Sequence, residues 1–154
     1  MNFKKIGVSS ELIKAVKDLG FTSPTEVQYE SIPFLISENR DLISLAQTGT
    51  GKTAAFGLPV IQKTKLKNKF VQSIILCPTR ELCIQICKDL ESYSKYISGM
   101  KILSVYGGTS IETQIKSLNK GVHIVVGTPG RTKDLIKRKV LKLELVDKVV
   151  LDEA

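Results

Sequence analysis

The sequence has few of the residues that bind metals or form disulfides, with one histidine and three cysteines in 154 residues. Cys77, Cys83 and Cys87 are odd in number and show no CxxC spacing, so we interpret them as reduced cysteines that act as small hydrophobic side chains. His123 lies inside the apolar run VHIVVG. Without a second imidazole this position argues against a zinc site and favours a packed histidine on a strand.

Long hydrophobic segments are also missing. No window approaches the run of about 18 apolar residues that spans a membrane. The N-terminal residues MNFKKIGVSS lack the apolar region of a signal peptide. We therefore expect a cytoplasmic protein with no membrane partner. The length and the 42% hydrophobic content suit a single domain whose core needs no disulfide or metal.

Acidic residues are outnumbered, with 15 Asp and Glu against 23 Lys and Arg, a net charge of +8 and a pI near 9.4. This excess favours polyanionic partners such as nucleic acids or acidic membrane surfaces. The alternative is a lysine-rich solvated surface. The segment KTKLKNK (63–69) is predicted to be a basic surface loop of that kind.

Short apolar runs alternate with helical patterns along the chain. The runs lack the period-2 polarity of half-exposed strands, as expected for strands buried on both faces. They are DLISLA (41–46), QSIILC (72–77), KILSVY (101–106), VHIVVG (122–127) and KVVLD (148–152). The alternation predicts an α/β fold in which helices flank both faces of a central parallel β-sheet. In such sheets ligands bind beyond the carboxyl ends of the strands, so the residues there are the candidate site.

The first predicted strand runs into AQTGTGKT (46–53), which matches the phosphate-loop pattern except that Ala46 replaces the first glycine. Gly49 and Gly51 let successive backbone N–H groups point at phosphate oxygens, and the following helix adds its positive dipole end. Lys52 is placed to reach the β- and γ-phosphates, and the Thr53 hydroxyl is placed for Mg²⁺. The alternative is a glycine-rich turn that binds no nucleotide.

An acidic pair follows the last predicted strand. Asp152 is placed to orient a metal ion, and Glu153 is placed to orient and polarise an attacking water. The alternative is an ordinary surface turn.

Three other strand ends carry groups that suit phosphates: LCPTREL (76–82), VYGGTS (105–110) and VGTPGR (126–131). They combine helix starts, bare glycine backbone and arginines. Each alone has the alternative of a helix cap with a solvent-facing arginine. One nucleotide cannot use all three, so together on one edge of a basic chain they favour a nucleic-acid backbone.

These motifs, in this order, resemble the N-terminal RecA-like domain of DEAD-box ATP-dependent RNA helicases. GFTSPTEVQ (20–28) resembles the Q motif, with Phe3 at the position of the isolated upstream aromatic; AQTGTGKT resembles motif I, PTREL (78–82) motif Ia, GG (107–108) the glycine pair, TPGR (128–131) motif Ib, and LDEA (151–154) motif II without its last Asp. The Q motif, PTREL and TPGR argue against DEAH-type helicases and against other phosphate-loop ATPases.

The resemblance implies a role for each matching residue. Gln28 would hydrogen-bond the adenine edge and Phe3 would stack on the base; the alternative for Gln28 is an ordinary polar position near a helix cap. The implied ATP-binding residues are Phe3, Gln28, Ala46, Gln47, Thr48, Gly49, Thr50, Gly51, Lys52 and Thr53. The implied RNA-binding residues are Pro78, Thr79, Arg80, Gly107, Gly108, Thr128, Pro129, Gly130 and Arg131. The implied catalytic residues are Lys52 and Glu153, and the implied Mg²⁺ ligands are Thr53 and Asp152. RNA contacts to phosphates and sugars would be sequence-independent and salt-sensitive.

The resemblance also implies a domain organisation, in which residues 1–36 hold the Q-motif region and residues 37–154 a partial RecA-like ATP-binding domain. The family's second RecA-like domain, a partner that supplies arginine fingers to the γ-phosphate, lies outside this sequence, which stops inside motif II. We therefore expect a piece of a longer protein with weak ATP or ADP binding, negligible RNA-stimulated hydrolysis and no unwinding. The alternative is a non-catalytic RNA-binding clamp or interaction module that retains the fold.

Overall fold

The computed structural model describes residues 2–154, which form two compact units. The first unit contains the residues up to Lys63 together with Asp89–Ser98, and the second contains Thr64–Lys88 and Gly99–Ala154. The elements in chain order are α1 (Ser10–Asp18), α2 (Glu26–Ser37), α3 (Lys52–Gln62), β1 (Ser73–Leu76), α4 (Arg80–Tyr93), β2 (Ile102–Val105), α5 (Ile111–Lys120), β3 (Ile124–Gly127), α6 (Pro129–Lys137) and β4 (Lys148–Leu151).

The second unit is built on a four-stranded sheet in the order β2-β3-β1-β4, with every neighbouring pair parallel. The register aligns the last residues of the strands. Leu76 lies beside Gly127 and Leu151, and Gly127 lies beside Val105. The carboxyl ends of all four strands therefore meet at one edge, which confirms the predicted parallel sheet and its row of strand ends.

Helices cover both faces of this sheet. On one face, α5 and α6 enclose a core of Val71, Ile74, Val105, Val122, Val125, Leu135 and Leu141. Alternate strand residues point to the opposite face, where Ile75 and Val126 are fully buried. Cys83 of α4 packs against the sheet, because its Sγ donates to the Val126 carbonyl oxygen at 3.1 Å. Each buried side chain of this size contributes roughly 1.5–3 kcal/mol, so these two layers hold the strand ends in place.

The cysteines and the histidine are buried, as predicted. Burial raises the pKa of the Cys83 thiol to about 12. His123 lies just before β3 and not on it. Its Nδ1 accepts from the Lys101 backbone N–H at 3.1 Å, so Nε2 carries the proton and donates to the Leu66 carbonyl oxygen at 3.0 Å. The histidine therefore holds the predicted basic loop against the start of the strand.

In the first unit α2 packs against α3, and α3 packs against the last turns of α4. Helices α3 and α4 approach closely at Gly57, where an added Cβ would lie 2.7 Å from Leu90 Cδ2. The N-terminal segment is tied to the end of α3 by Gln62. That side chain accepts from the Ser9 backbone N–H and donates to the Gly7 carbonyl oxygen, both at 2.9 Å. These contacts fix α3, the helix that follows the glycine-rich turn.

The strand predicted at 41–46 is wrong. Residues 41–47 have no regular secondary structure, and Ile43 and Leu45 are 91% and 97% exposed. A strand forms only when a neighbouring strand pairs with its backbone groups, and no segment within residues 2–154 does so here. The apolar composition of the run matches that of a buried strand, but composition does not provide the partner.

Candidate functional site

The glycine-rich turn lies in the first unit and leads into α3. Gly49 and Gly51 have φ values of +83° and +87°, in the left-handed region that favours glycine. The Thr50 hydroxyl donates to the Gln47 carbonyl oxygen at 2.6 Å and closes the turn. Lys52 is the first residue of α3. The first N–H groups of a helix have no partner within it, so the turn ends in an anion-attracting helix start.

Gln28 connects α2 directly to this turn. Its side chain is 2% exposed. The Oε1 atom accepts from the Thr25 backbone N–H at 3.1 Å, as in a capping box, and Nε2 donates to the Gly51 carbonyl oxygen at 3.1 Å. The helix-cap alternative for Gln28 is therefore realised, and a contact with the glycine-rich turn is added to it.

Gly51 is required by contact as well as by conformation. A Cβ at this position would lie 2.4 Å from Gln28 Nε2, whereas a Cβ at Gly49 would meet nothing within 4 Å. The two glycines of the turn therefore have the same backbone need but different surroundings.

Phe3 is buried in the first unit, with 3% of its surface exposed. Ile6 and Val8 of the same segment are buried too. The position is close-packed, so the ring can stack on a base only after it becomes accessible. Base stacking by Phe3 stays a prediction.

In the second unit, the residues that follow β1 and β2 meet at the sheet edge. Arg80, the first residue of α4, places its guanidinium 4.9 Å from the centre of the Tyr106 ring. Gly108 has φ +79°, and a Cβ there would lie 3.6 Å from Arg80 Nη1. Thr79 caps α4 by accepting from the Leu82 backbone N–H at 3.2 Å. The PTREL and GG segments are thus neighbours, as their strand-end positions predict.

Arg131, in the first turn of α6, joins the same edge. Its Nη1 donates to Gln114 Oε1 and its Nη2 donates to the Thr109 carbonyl oxygen, both at 3.1 Å. Gln114 is 5% exposed, and its Nε2 donates to the Tyr106 carbonyl oxygen at 3.2 Å. The guanidinium of Arg131 is therefore anchored to two neighbouring segments, while the residue stays partly exposed at the edge.

Gln114 and Tyr106 were not among the predicted site residues. One signal for Gln114 was present in the sequence. It lies three positions after Ile111 and four before Leu118, on the buried side of an amphipathic helix, where a polar residue needs a partner. No comparable signal marks Tyr106, since a tyrosine at a strand end is ordinary.

The TPGR segment begins α6 as predicted. Thr128 is the N-cap and Pro129 the first helical residue. The Thr128 backbone N–H donates to the Val105 carbonyl oxygen at 3.0 Å. At Gly127 a Cβ would lie 2.2 Å from Thr132 Oγ1, so the strand end admits only glycine. Pro129 and Gly130 are exposed at the edge.

The acidic pair follows β4 at the same edge of the sheet. The Asp152 backbone N–H donates to the Leu76 carbonyl oxygen at 2.9 Å, which continues the β1–β4 ladder by one residue. Burial raises the pKa of the Cys77 thiol, and the nearby Asp152 charge adds to that increase. Glu153 is exposed and has φ +57°. The chain therefore turns sharply between the two carboxylates.

Two further findings concern the described residues. Within residues 2–154, no three His, Cys, Asp or Glu side chains lie close enough together to hold a metal by themselves. None of the helices in that range combines the length and apolar content that crossing a membrane requires.

Comparison with known proteins gives consistent matches. A family model described as DEAD/DEAH box helicase matches residues 25–154. The chain is 47% identical, over 154 residues, to the DEAD-box ATP-dependent RNA helicase CshA of Streptococcus pneumoniae, and 47% identical, over 152 residues, to the CshA of Geobacillus kaustophilus. It covers 29% and 32% of those two proteins, which cover 100% and 99% of it.

Solved structures agree with the family match. A DEAD box protein from the hyperthermophile Methanococcus jannaschii has a TM-score of 0.92 and 41% identity, covering 98% of this chain with 41% of its own. Saccharomyces cerevisiae Dbp5 bound to RNA and ADP BeF3 has a TM-score of 0.89 and 30% identity, covering 99% of this chain with 38% of its own. These likenesses confirm the RecA-like fold, and with the family match over most of its length the chain belongs to the DEAD/DEAH box helicase family.

Proposed function

We propose that the chain is the ATP- and RNA-binding N-terminal part of an RNA helicase that couples ATP binding and hydrolysis to local unwinding of RNA duplexes. The observation that carries this proposal is the contact between Gln28 and Gly51. It puts a carboxamide, which can both donate to and accept from an adenine edge, directly on a glycine-rich turn suited to phosphates. The chain spans less than a third of the length of the Streptococcus pneumoniae relative.

Nucleotide recognition would use both ends of this contact. Residues 46–53 would surround the phosphates, with Lys52 at the β- and γ-phosphates. Gln28 would read the adenine edge, and Phe3 would stack on the base. Because both ends of the Gln28 amide already have protein partners, adenine would have to replace at least one of them. Binding of the base would then change the support of the phosphate turn through one side chain.

Mg²⁺ is part of the proposal because the available donors are hard oxygens, the kind that this ion prefers. The Thr53 hydroxyl and the Asp152 carboxylate would hold it together with phosphate oxygens and water. When bound, the ion would neutralise charge on the transferred phosphoryl group. Glu153 would orient the attacking water.

RNA would bind along the carboxyl edge of the sheet, through its phosphates and sugars. The residues proposed to contact it are Pro78, Thr79, Arg80, Gly107, Gly108, Thr128, Pro129, Gly130 and Arg131. The adjacency of the PTREL, GG and TPGR segments supports this proposal. Backbone contacts of this kind carry no base sequence, so affinity should depend mainly on salt.

The proposal also covers the domain organisation of the protein and where it acts. Residues 1–36 would form the Q-motif region and residues 37–154 the partial ATP-binding domain. A second RecA-like domain of the whole protein would supply the arginines that complete hydrolysis, and the protein would act in the cytoplasm. The second candidate function is a non-catalytic RNA clamp, which the anchored state of Arg131 favours because it gives a fixed RNA surface without any need for ATP.

The test measures nucleotide selectivity. ATP and GTP affinities are determined by equilibrium dialysis for the wild-type chain, for Gln28→Ala and for Glu30→Ala, an exposed change on the same helix. We expect the wild type to prefer ATP, Gln28→Ala to lose about tenfold of that preference, and the control to keep it. A wild-type chain without preference for ATP would refute the adenine role.

Measurements of ATP binding and ATP hydrolysis distinguish the helicase proposal from the RNA clamp. ATP turnover is measured for the chain with and without single-stranded RNA. The helicase proposal expects ATP binding with negligible turnover, because the arginines of a second domain are typically worth about 10³–10⁵ in rate. RNA binding without any measurable ATP binding would favour the clamp.

A further inference from the structure

We propose that Gln114 is a positioning residue that holds the glycine loop after β2 and the arginine of α6 in one arrangement, so that both meet RNA as a preorganised unit. The inference rests on the proposed RNA-binding function. It assigns to Gln114 no contact with RNA and no part in hydrolysis.

The geometry places one amide between three segments. Gln114 lies on the buried side of α5 and is 5% exposed. Its Nε2 donates to the carbonyl oxygen of Tyr106 at the end of β2, and its Oε1 accepts from Arg131 Nη1. Arg131 completes this hydrogen-bonded network, because its Nη2 donates to the Thr109 carbonyl oxygen. The loop 106–110, α5 and α6 are therefore joined through one side chain and one guanidinium.

Only a carboxamide of this length satisfies both contacts. Glutamate can accept from Arg131 but has no N–H for the Tyr106 carbonyl oxygen. Leucine has similar bulk and offers neither group. A substitution at this buried position removes the partner of both the Tyr106 carbonyl oxygen and the Arg131 guanidinium. The residue type is thus specified by two simultaneous bonds and not by packing alone.

The hydrogen-bonded network around Gln114 also contacts Arg80, the second arginine at the sheet edge. The guanidinium of Arg80 lies over the Tyr106 ring, and Gly108 lies close to it. Fixing the Tyr106 backbone therefore also restrains the aromatic ring over which the Arg80 guanidinium lies. The bonds to Gln114 and Thr109 use two of the five N–H donors of Arg131, which leaves donors for a phosphate. Holding these groups before RNA arrives reduces the side-chain entropy lost on binding.

This role differs measurably from a direct phosphate contact. Removing a contacting arginine lowers the salt dependence of binding, since fewer counterions are released. Removing a neutral positioning amide keeps every positive charge, so affinity falls while the salt dependence is retained. Gln114→Glu is expected to lower both, because the new carboxylate would neutralise Arg131.

The experiment compares the wild-type chain with Gln114→Leu, Gln114→Glu, Arg131→Ala and the control Asn119→Ala, which removes an exposed amide from the same helix. Binding to a fluorescent single-stranded oligouridylate is followed by anisotropy over a series of KCl concentrations. Circular dichroism checks that each variant folds, and hydrogen–deuterium exchange follows the loop 106–110 in the absence of RNA.

We expect Gln114→Leu to bind about tenfold more weakly with an unchanged salt slope, and to exchange faster in the loop. Gln114→Glu and Arg131→Ala should each lose about 0.7 from the slope of log K against log salt, and Asn119→Ala should match the wild type.

Three results would overturn the inference. The first is a folded Gln114→Leu with wild-type affinity or unaltered loop exchange. The second is a general loss of fold in both Gln114 variants, which would make the residue purely structural. The third is a wild-type chain that does not bind the RNA at all; it would overturn the proposed function as well, whereas the first leaves that function standing.

Discussion

The two glycines of the glycine-rich turn allow a matched test of the contact with Gln28. Gly49 and Gly51 have nearly equal positive φ values, +83° and +87°. They differ in what an added methyl group would meet. At Gly51 the Cβ would lie 2.4 Å from Gln28 Nε2 and 3.1 Å from Thr25 Oγ1, whereas at Gly49 the space is open. Gly49→Ala therefore measures backbone strain alone, and Gly51→Ala measures strain plus displacement of a buried amide.

The magnitudes follow from these two contributions. Left-handed backbone costs an L-residue roughly 1–2 kcal/mol in either variant. Displacing Gln28 breaks its bond to the Gly51 carbonyl oxygen and leaves a buried amide poorly paired, which costs about 1–3 kcal/mol more. Alanine also restricts the unfolded chain, but equally in both variants, so that effect cancels in the comparison.

The assay is urea denaturation followed by circular dichroism, without nucleotide. With a slope of roughly 2 kcal/mol per molar urea, an extra ~2 kcal/mol lowers the midpoint of Gly51→Ala by about 1 M relative to Gly49→Ala. A double-mutant cycle isolates the contact. In a Gln28→Ala background the midpoint difference between the two glycine variants should nearly vanish, because the atom in the way has been removed.

Two results would refute this reasoning. Equal midpoints for the two single variants would show that Gln28 moves aside at no cost. A difference that persists in the Gln28→Ala background would place the conflict elsewhere in the turn.

The other predictions concern charge and thiol chemistry. Replacing Arg80 and Arg131 together by alanine should weaken RNA binding and lower the salt slope by about 1.4 for two lost contacts, measured by anisotropy; an unchanged slope would contradict the RNA-edge proposal. Hydrogen bonds from the Tyr96 hydroxyl and from a lysine lower the pKa of Asp18 below its ordinary value of 3.8. Its stabilising effect is therefore present above its ordinary value of 3.8 and lost as the pH falls through the lowered value, so the thermal midpoints of wild type and Asp18→Asn should converge as the pH is lowered below 3.8. Because burial raises the pKa of Cys83 to about 12, this thiol should not react with a chromogenic disulfide reagent at pH 8 until urea is added; rapid reaction of the folded chain would contradict its burial.

Much of the fold is readable from local pattern. Four of the five predicted strands occur, and α6 begins at Thr128 and Pro129 where a cap and a first-turn proline predict it. Strand–helix alternation then places the PTREL, GG and TPGR segments on one edge, because parallel strands carry their carboxyl ends together. These features depend on residues close in sequence and on a general rule of chain connection.

The features that escaped prediction depend on residues distant in sequence. The run 41–46 has strand-like composition, but pairing needs a neighbour that composition cannot supply. The bond from Gln28 to Gly51 joins residues 23 positions apart, and the hydrogen-bonded network around Gln114 needs three segments to converge. Burial of Phe3 likewise follows from packing in the first unit and not from any nearby signal.

The exposed segment after Arg40, residues 41–47, has a consequence for limited proteolysis. Trypsin cuts after arginine, and Arg40 is exposed and followed by residues without regular structure. Early digestion should therefore include a cut after Arg40, distinct from cuts at the lysines of the basic loop, and a ligand that orders the turn at 46–53 should slow that cut. The rate of this single cleavage would report nucleotide occupancy on a gel, with no label on the nucleotide or the protein.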